Sequence, residues 1–135
     1  MTPAAFRSLF RIERARFAAA FPRSQVGAAR LYLTSAPCPL GPPCADRDYA
    51  VARWGGPTPP SITFSRRVLD LPRANVVALV RHELAHVADP TPDAPDPELR
   101  ADRIASQVGG QAVRYDRREV QTVGAGTGRP RRLPT

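Results

Sequence analysis

The spacing of apolar residues predicts three helices, of which the first lies near the start of the chain. In residues 3–21 the apolar side chains recur every three or four positions, which is typical of one buried helix face. This stripe consists of Phe6, Leu9, Phe10, Phe17 and Phe21. Glu13 also falls on the stripe. A carboxylate on a buried face needs a partner, so we expect Glu13 to pair with a neighbouring arginine.

A second helix is predicted from Arg73 to Asp89, because no proline or glycine interrupts this segment. Its apolar stripe consists of Val76, Val80, Leu84 and Val87. Pro72 suits a first helical turn, Asp70 can offer a capping oxygen, and Pro90 provides a stop. Both histidines lie off the stripe, so we expect them to face away from the core.

A third helix is predicted to open at Asp96 and Pro97 and to end at Gly109-Gly110. Its buried stripe consists of Ala101, Ile104, Ala105 and Val108. Three segments with alternating polarity predict strands, and a fourth is shorter. They are Arg30–Ser35, Tyr49–Trp54, Ser61–Ser65 and Ala112–Tyr115.

These elements predict an α+β fold with an N-terminal helix, a small mixed sheet of three to four strands, and two following helices. At 135 residues the chain is long enough for one modest core. We expect a single domain over residues 1–123 and a flexible tail over residues 124–135, which are rich in glycine, arginine and proline. The sequence has neither a segment apolar enough to cross a bilayer nor a secretory leader, which predicts a cytoplasmic protein without membrane association.

The basic charge is concentrated at the two ends of the chain. The net charge is +8, and every one of the 20 basic residues is arginine. Residues 1–30 and 114–135 carry most of the excess, whereas the middle is nearly neutral. Such ends suit an acidic partner such as nucleic acid. No stacking aromatic residues accompany the arginines in a recognisable module, so nucleic-acid binding is an alternative and not the main expectation.

Cys38 and Cys44 are the only cysteines and enclose a proline-rich loop. A disulfide across this loop is geometrically possible. Because disulfides are rare in the cytoplasm, we expect two free thiols.

The chemistry is concentrated in the pentapeptide His82-Glu83-Leu84-Ala85-His86, which contains both histidines of the chain. On a helix, residues four apart share a face, so both rings can reach one zinc ion. Glu83 would then lie where it can take a proton from a water on that metal. A chance match on a surface helix and a structural zinc site are the alternatives.

A hydrolytic zinc site needs a third protein ligand, and no histidine remains to supply it. The downstream acids are Asp89, Asp93, Asp96, Glu98 and Asp102. Glu98 is the best placed, since it lies at the start of the third helix and can face the second. Asp102, four residues later, can accept the other ring N–H of a zinc-binding histidine, His82 in our interpretation. Alternatively, Glu98 only stabilises the dipole of its helix.

His82-Glu83-Leu84-Ala85-His86 followed by Glu98-Leu99-Arg100-Ala101-Asp102 resembles the HExxH…ExxAD signature of the gluzincins, which are zinc metallopeptidases. The resemblance covers about residues 61–110. It implies that His82, His86 and Glu98 bind zinc, that Glu83 is the general base, and that Asp102 orients a histidine. Compact bacterial and phage-borne zincins, including the ImmA/IrrE-type proteases, are similar in size, so an origin in a phage or mobile element fits.

The chain departs from the larger gluzincins in two ways. Only eleven residues separate His86 from Glu98, and no third histidine exists to stabilise an oxyanion. The resemblance further implies that the strand before the metal helix is the edge of the cleft and pairs with an extended substrate, through Ile62, Thr63 and Phe64. An ordinary sheet strand is the alternative. Tyr115 is a candidate for contacting the substrate, or else a partly buried sheet residue.

The sequence therefore predicts a zinc-dependent metallopeptidase that hydrolyses peptide bonds with a water activated by zinc and Glu83. Its partners would be peptide or protein substrates. Two alternatives remain: a regulatory protease with one protein target such as a repressor, and a basic nucleic-acid-associated protein with a non-catalytic zinc site.

Overall fold

Three α-helices and a three-stranded mixed sheet make up residues 1–39, 49–91 and 93–109, the parts of the chain that the computed structural model describes. The helices are α1 (Pro3–Ala20), α2 (Arg73–Ala88) and α3 (Pro97–Gly109), and the strands are β1 (Arg30–Thr34), β2 (Ala50–Arg53) and β3 (Ser61–Ser65). The predicted α+β class is confirmed. No helix in these ranges is long and apolar enough to span a membrane. The predicted strand at 112–115 and the predicted tail at 124–135 lie outside them.

Helix α1 covers the sheet with its phenylalanine stripe. Thr2 caps the helix, because its hydroxyl oxygen accepts a hydrogen bond from the Ala5 N–H at 3.1 Å. Phe6 and Phe10 are buried and meet the ring of Phe64 edge-on, with centroid separations of 5.0 and 6.4 Å. The predicted stripe is thus confirmed as the contact between α1 and the sheet.

Strand β3 lies in the middle of the sheet, whose order is β1-β3-β2. It pairs with β1 in parallel and with β2 antiparallel, so Thr63 has Tyr32 on one side and Val51 on the other. Ile62 and Phe64 are both 0% exposed and face the core. The prediction that β3 is the edge strand on which Ile62, Thr63 and Phe64 bind substrate is therefore wrong, because neighbouring strands occupy both of its edges.

Helix α2 is buried on nearly every side rather than along one stripe. Its residues from Asn75 onward are buried, apart from Val77 and Arg81, which are half-buried. The histidines are buried too, so the prediction that they face away from the core is wrong. The reason is that α3 packs against α2 in addition to α1 and β2, and its Glu98 and Asp102 contact the rings.

The predicted start of α2 is also corrected. Residues Arg66–Asp70 form a 3₁₀ helix, and Asp70 is exposed at its end. Pro72 occupies the capping position of α2, and no side chain caps that end. The helix ends at Ala88, and Pro90 follows shortly after, as predicted.

Glu13 joins α1 to α2 through a buried ion pair. Its carboxylate, in a residue only 3% exposed, accepts a hydrogen bond from Arg81 Nε at 2.7 Å. Arg16 lies 3.7 Å away on the same helix. The predicted arginine pairing is confirmed, and the main partner comes from the residue directly before His82.

Cys38 is buried and takes part in a disulfide, so the prediction of a free thiol at this position is wrong. Cys44, the only other cysteine of the sequence, lies outside the described residues. Disulfides persist mainly in oxidising surroundings, so this bond does not support the predicted cytoplasmic location. That location stays a prediction.

Candidate metal centre

Two histidines of α2 and a glutamate of α3 meet at one point between the helices. The Nε2 atoms of His82 and His86 are 3.0 Å apart. Glu98 Oε1 lies 2.9 Å from the first and 3.1 Å from the second. The structure thus places Glu98 between the helices, as the spacing of the motifs predicted. Its role as a ligand stays a prediction.

The size of this triangle suits a zinc ion. With zinc–ligand distances near 2.0–2.1 Å, the ligand atoms of a tetrahedral site are separated by about 3.3 Å. The three sides measured here, between 2.9 and 3.1 Å, are slightly shorter than that value. A small outward movement of the three side chains would be enough to admit the ion.

Asp102 determines which nitrogen of His82 faces the centre. His82 Nδ1 is 2.8 Å from Asp102 Oδ1, and a carboxylate can only accept, so Nδ1 carries the proton. In the neutral ring Nε2 then has a lone pair, which points at Glu98 and His86. Glu98 Oε1 is an acceptor as well. Acceptor atoms this close together require a shared positive charge, which a proton or a metal ion can supply.

The pKa values reflect that requirement. Burial lowers the pKa of His82, but hydrogen bonds to Asp102 and Glu98 and the charges of Glu83 and Glu98 outweigh it, so the pKa rises from 6.5 to about 9. Burial raises the pKa of Glu98, but hydrogen bonds to His82 and His86 outweigh it and hold the pKa far below its usual range. Without a metal, His82 therefore carries a proton at neutral pH beside the charged carboxylate of Glu98.

His86 is held as a neutral ring. Burial lowers its pKa from 6.5 to about 4, and the charge of His82 acts in the same direction. A neutral imidazole is the form that binds metals. The ring of Trp54 stacks on it, with planes 6° apart and centroids separated by 6.2 Å, while His82 meets it edge-on at 4.6 Å. These two contacts fix the plane of the His86 ring.

Glu83 stands beside the triangle without belonging to it. It is 0% exposed, and a carboxylate oxygen of Glu83 lies within 4.8 Å of a ring nitrogen of each histidine. These three residues alone could be viewed as a metal-binding group. Glu98 is the better third ligand, however, because its oxygen is in direct contact with both ring nitrogens. The role of Glu83 as general base stays a prediction.

The other acids considered as ligands lie elsewhere. Asp89 accepts hydrogen bonds from Arg100 Nη2 at 2.7 Å and Arg100 Nε at 3.1 Å. The backbone N–H of Thr91 adds a third bond at 2.8 Å. Burial raises the pKa of Asp89, but these bonds outweigh it and lower the pKa below 3.8. Asp93 and Asp96 are exposed in the loop between α2 and α3.

Trp54 is the site residue that sequence reasoning missed. It is the only tryptophan of the chain and follows β2 directly, ahead of Gly55-Gly56. This position was a usable signal, since an aromatic residue at a strand end followed by two glycines marks an open turn. The sequence gives no hint, however, that this turn reaches His86. Tyr115, the other candidate near the site, lies outside the described residues.

Comparisons of this chain with models of protein families, with curated proteins and with solved structures found no match. The resemblance to gluzincins therefore depends on the two motifs and on the arrangement of their side chains.

Proposed function

We propose that this protein is a zinc-dependent metallopeptidase whose metal is held by His82, His86 and Glu98. The observation that carries the proposal is the convergence of three ligand atoms within 2.9–3.1 Å of one another in a buried position. Two imidazoles and one carboxylate are the ligand set of catalytic zinc sites, in which a fourth position is left for water or substrate. Structural zinc sites instead use four protein ligands, usually with cysteine.

Each residue around the metal has a separate task in peptide hydrolysis. When bound, zinc would polarise a substrate carbonyl and make water acidic near neutral pH. Glu83 accepts the proton of the attacking water and delivers it to the leaving amine. Asp102 holds His82 with Nε2 toward the centre, and Trp54 holds the ring of His86. The burial of Glu83 keeps bulk water away from this proton transfer.

The route of the substrate differs from the one the sequence predicted. Strand β3 is paired on both sides, and residues 50–52 of β2 are at most 1% exposed, so neither offers an accessible backbone edge. The turn after β2 is an exposed segment that reaches the site: Trp54 stacks on His86, and Arg53, Gly55 and Gly56 around it are exposed. In this proposal a peptide approaches the metal along that turn.

The test combines metal analysis with cleavage of a mixed peptide library. The wild-type chain should bind one zinc ion and cleave peptides. Glu83→Gln should bind zinc equally well but turn over about 10²–10⁴-fold more slowly, since only the general base is lost. Asp70→Asn, which alters an exposed acid at the end of the 3₁₀ helix, is the matched control and should behave as the wild type. Absence of zinc, or full activity in Glu83→Gln, would contradict the proposal. Zinc without cleavage of the library would favour a protease with a single protein target.

A second candidate function is binding to an acidic polymer such as DNA, and one observation favours it. The exposed side of α1 carries Arg7, Arg11 and Arg16, whereas the only acid of this helix, Glu13, is buried in its ion pair. The solvent-facing side of α1 is therefore purely basic. Retention on DNA that weakens steeply with salt and persists after chelation of zinc would support this function. Retention should then fall in Arg7→Ala and Arg11→Ala.

A further inference from the structure

A cavity of about 650 Å³ lies next to the metal centre, at the C-terminal end of α2. Three segments line it: the end of α1 with the following turn, the turn after β2, and the last residues of α2 with Pro90. Among the described residues, none of the three proposed ligands lines the cavity. It is a neighbouring space and not the metal site itself.

Trp54 forms the wall between the cavity and the metal centre. One face of its indole stacks on His86, and the residue also lines the cavity. Val87 and Ala88, which follow His86 directly in α2, form another part of the lining. A molecule in the cavity is therefore separated from a metal ligand by one aromatic ring. A peptide bound at the metal could reach the cavity with a side chain near the bond that is cleaved.

The chemistry of the lining selects an apolar occupant. Most of the lining is carbon, supplied by alanine, phenylalanine, valine, tryptophan and proline side chains. Four polar residues also line it. Ser24 donates to the Phe21 carbonyl at 2.8 Å and Asp89 is held by Arg100, whereas Arg23 and Gln25 are exposed to solvent. A volume of 650 Å³ falls within the range of ligand pockets and exceeds that of one side chain.

Open space lies beside Trp54 in the turn after β2. Gly55 has a φ of 92°, a conformation that favours glycine. At Gly56 a Cβ atom would meet nothing within 4 Å. The backbone of this turn is therefore accessible beside the indole ring, where an extended peptide can pass.

We propose that this cavity is the specificity pocket of the enzyme and binds a bulky apolar side chain, such as leucine or phenylalanine, close to the cleaved bond. The inference rests on the proposed peptidase function and adds the class of substrate. Burying a side chain of this size contributes a preference over glycine of roughly tenfold to a hundredfold. Trp54 acts here as a positioning residue that joins the pocket to His86.

Trp54 is also a built-in probe, since its fluorescence is the only tryptophan signal of the chain. The zinc-loaded Glu83→Gln variant is titrated with four blocked dipeptides, acetyl-X-glycine amides with leucine, phenylalanine, glycine or aspartate at X. Leucine and phenylalanine should give saturable changes in emission at concentrations roughly tenfold to a hundredfold lower than glycine or aspartate. Equal midpoints for all four, or no saturation with any, would overturn the proposal.

A matched pair of variants locates the binding. Ala19 and Ala20 are both exposed in the last turn of α1, but only Ala20 lines the cavity. In the same Glu83→Gln background, Ala20→Phe should fill part of the cavity and weaken leucine binding about tenfold, whereas Ala19→Phe should change it by no more than about twofold. Equal binding by the two variants would show that the apolar side chain binds elsewhere and would overturn the inference.

The two proposals can fail separately. If zinc and cleavage are found but the four dipeptides bind alike, the peptidase function stands and the pocket is rejected. If leucine and phenylalanine bind preferentially but the wild-type chain holds no zinc and cleaves no peptide, the peptidase function is rejected. The cavity is then an apolar binding site of a different protein class.

Discussion

Two clusters of charged side chains join α2 to α3, and they differ in how their hydrogen bonds are completed. At Asp89 every contact pairs a donor with an acceptor: two N–H groups of Arg100 and the N–H and hydroxyl of Thr91 all point at carboxylate oxygens. One and two turns earlier, His86 and His82 of α2 and Glu98 of α3 bring together three atoms that are all acceptors until a positive charge is added.

This difference separates a cluster that neutralises itself from the cluster that we propose holds the metal. The Asp89 cluster is neutralised by its own arginine and fixes the junction of α2 and α3 without any added ion. The histidine cluster is stable only with an extra positive charge at its centre. A proton on His82 supplies this charge in the metal-free chain, and a zinc ion would replace it in our proposal. The predictions below test whether the clusters behave as differently as their hydrogen bonding suggests.

The largest effect is expected from Glu98→Ala. Loss of a direct ligand should weaken zinc binding by more than about 100-fold, since the loss of an outer hydrogen bond alone already costs 10–100-fold. Titration calorimetry with zinc measures this change. Asp93→Asn, an exposed acid in the preceding loop, is the control. Stoichiometric, tight zinc in Glu98→Ala would mean that another acid is the third ligand.

Asp102→Ala should have the next largest effect. Without the carboxylate, the Nδ1–H of His82 loses its acceptor and the ring is no longer held with Nε2 toward the centre. We expect zinc affinity to fall about 10–100-fold. Arg103→Ala, at the exposed neighbouring position of α3, should leave the affinity unchanged. An unaffected affinity in Asp102→Ala would remove this residue from the metal centre.

Asp89→Asn tests the Asp89 cluster and should lower stability without affecting zinc binding. The variant weakens the bonds to Arg100 and should lower the free energy of unfolding by about 1–3 kcal/mol, as for a buried charged hydrogen bond. Zinc affinity should not change. Urea denaturation of the metal-free protein measures the loss, and Asp93→Asn should stay within about 0.5 kcal/mol of the wild type. A loss of zinc in Asp89→Asn would show that the two clusters are coupled.

The smallest effect concerns pH. The pKa of Asp89 is lower in the folded chain than its usual 3.8, because Arg100 and Thr91 stabilise the charged form. The unfolded state therefore binds a proton first, and stability from this group is complete above about pH 4 and declines as pH falls through the folded pKa. Urea midpoints of the wild type should decrease more steeply below pH 4 than those of Asp89→Asn. Parallel curves would contradict the assignment.

The helices and strands were accessible from the sequence because each has its own local signal. Strand β3 matches the predicted Ser61–Ser65 residue for residue, and α1, β1, α2 and α3 differ from prediction by one or two positions at their ends. The cap of α2 was predicted wrongly, because a proline permits both a first turn and a capping position. Val68 and Leu69 also formed an unexpected 3₁₀ turn before it.

Sheet order and burial around α2 depended on long-range packing and could not be read from local patterns. Ile62 and Phe64 alternate in the same way in an edge strand and in a central strand. The histidines are hydrophilic on any scale, so their burial follows from Glu98 and Asp102, which arrive from α3. These two acids could be predicted because a zinc site needs a third ligand and an acceptor for a histidine N–H, wherever in the sequence they come from. A zinc site does not require an aromatic ring, so the contact between Trp54 and His86 is evident only in the folded chain.

The ion pair between Glu13 and Arg81 has a consequence for any attempt to reduce this protein to a metal-binding helical hairpin. Arg81 immediately precedes His82, and its partner Glu13 lies in the N-terminal helix α1. A fragment limited to residues 73–109 would leave that guanidinium without its counter-charge and would lose the contacts between α1 and α2. The first helix therefore stabilises α2 beside the proposed ligands, and a fragment made to test zinc binding should include it.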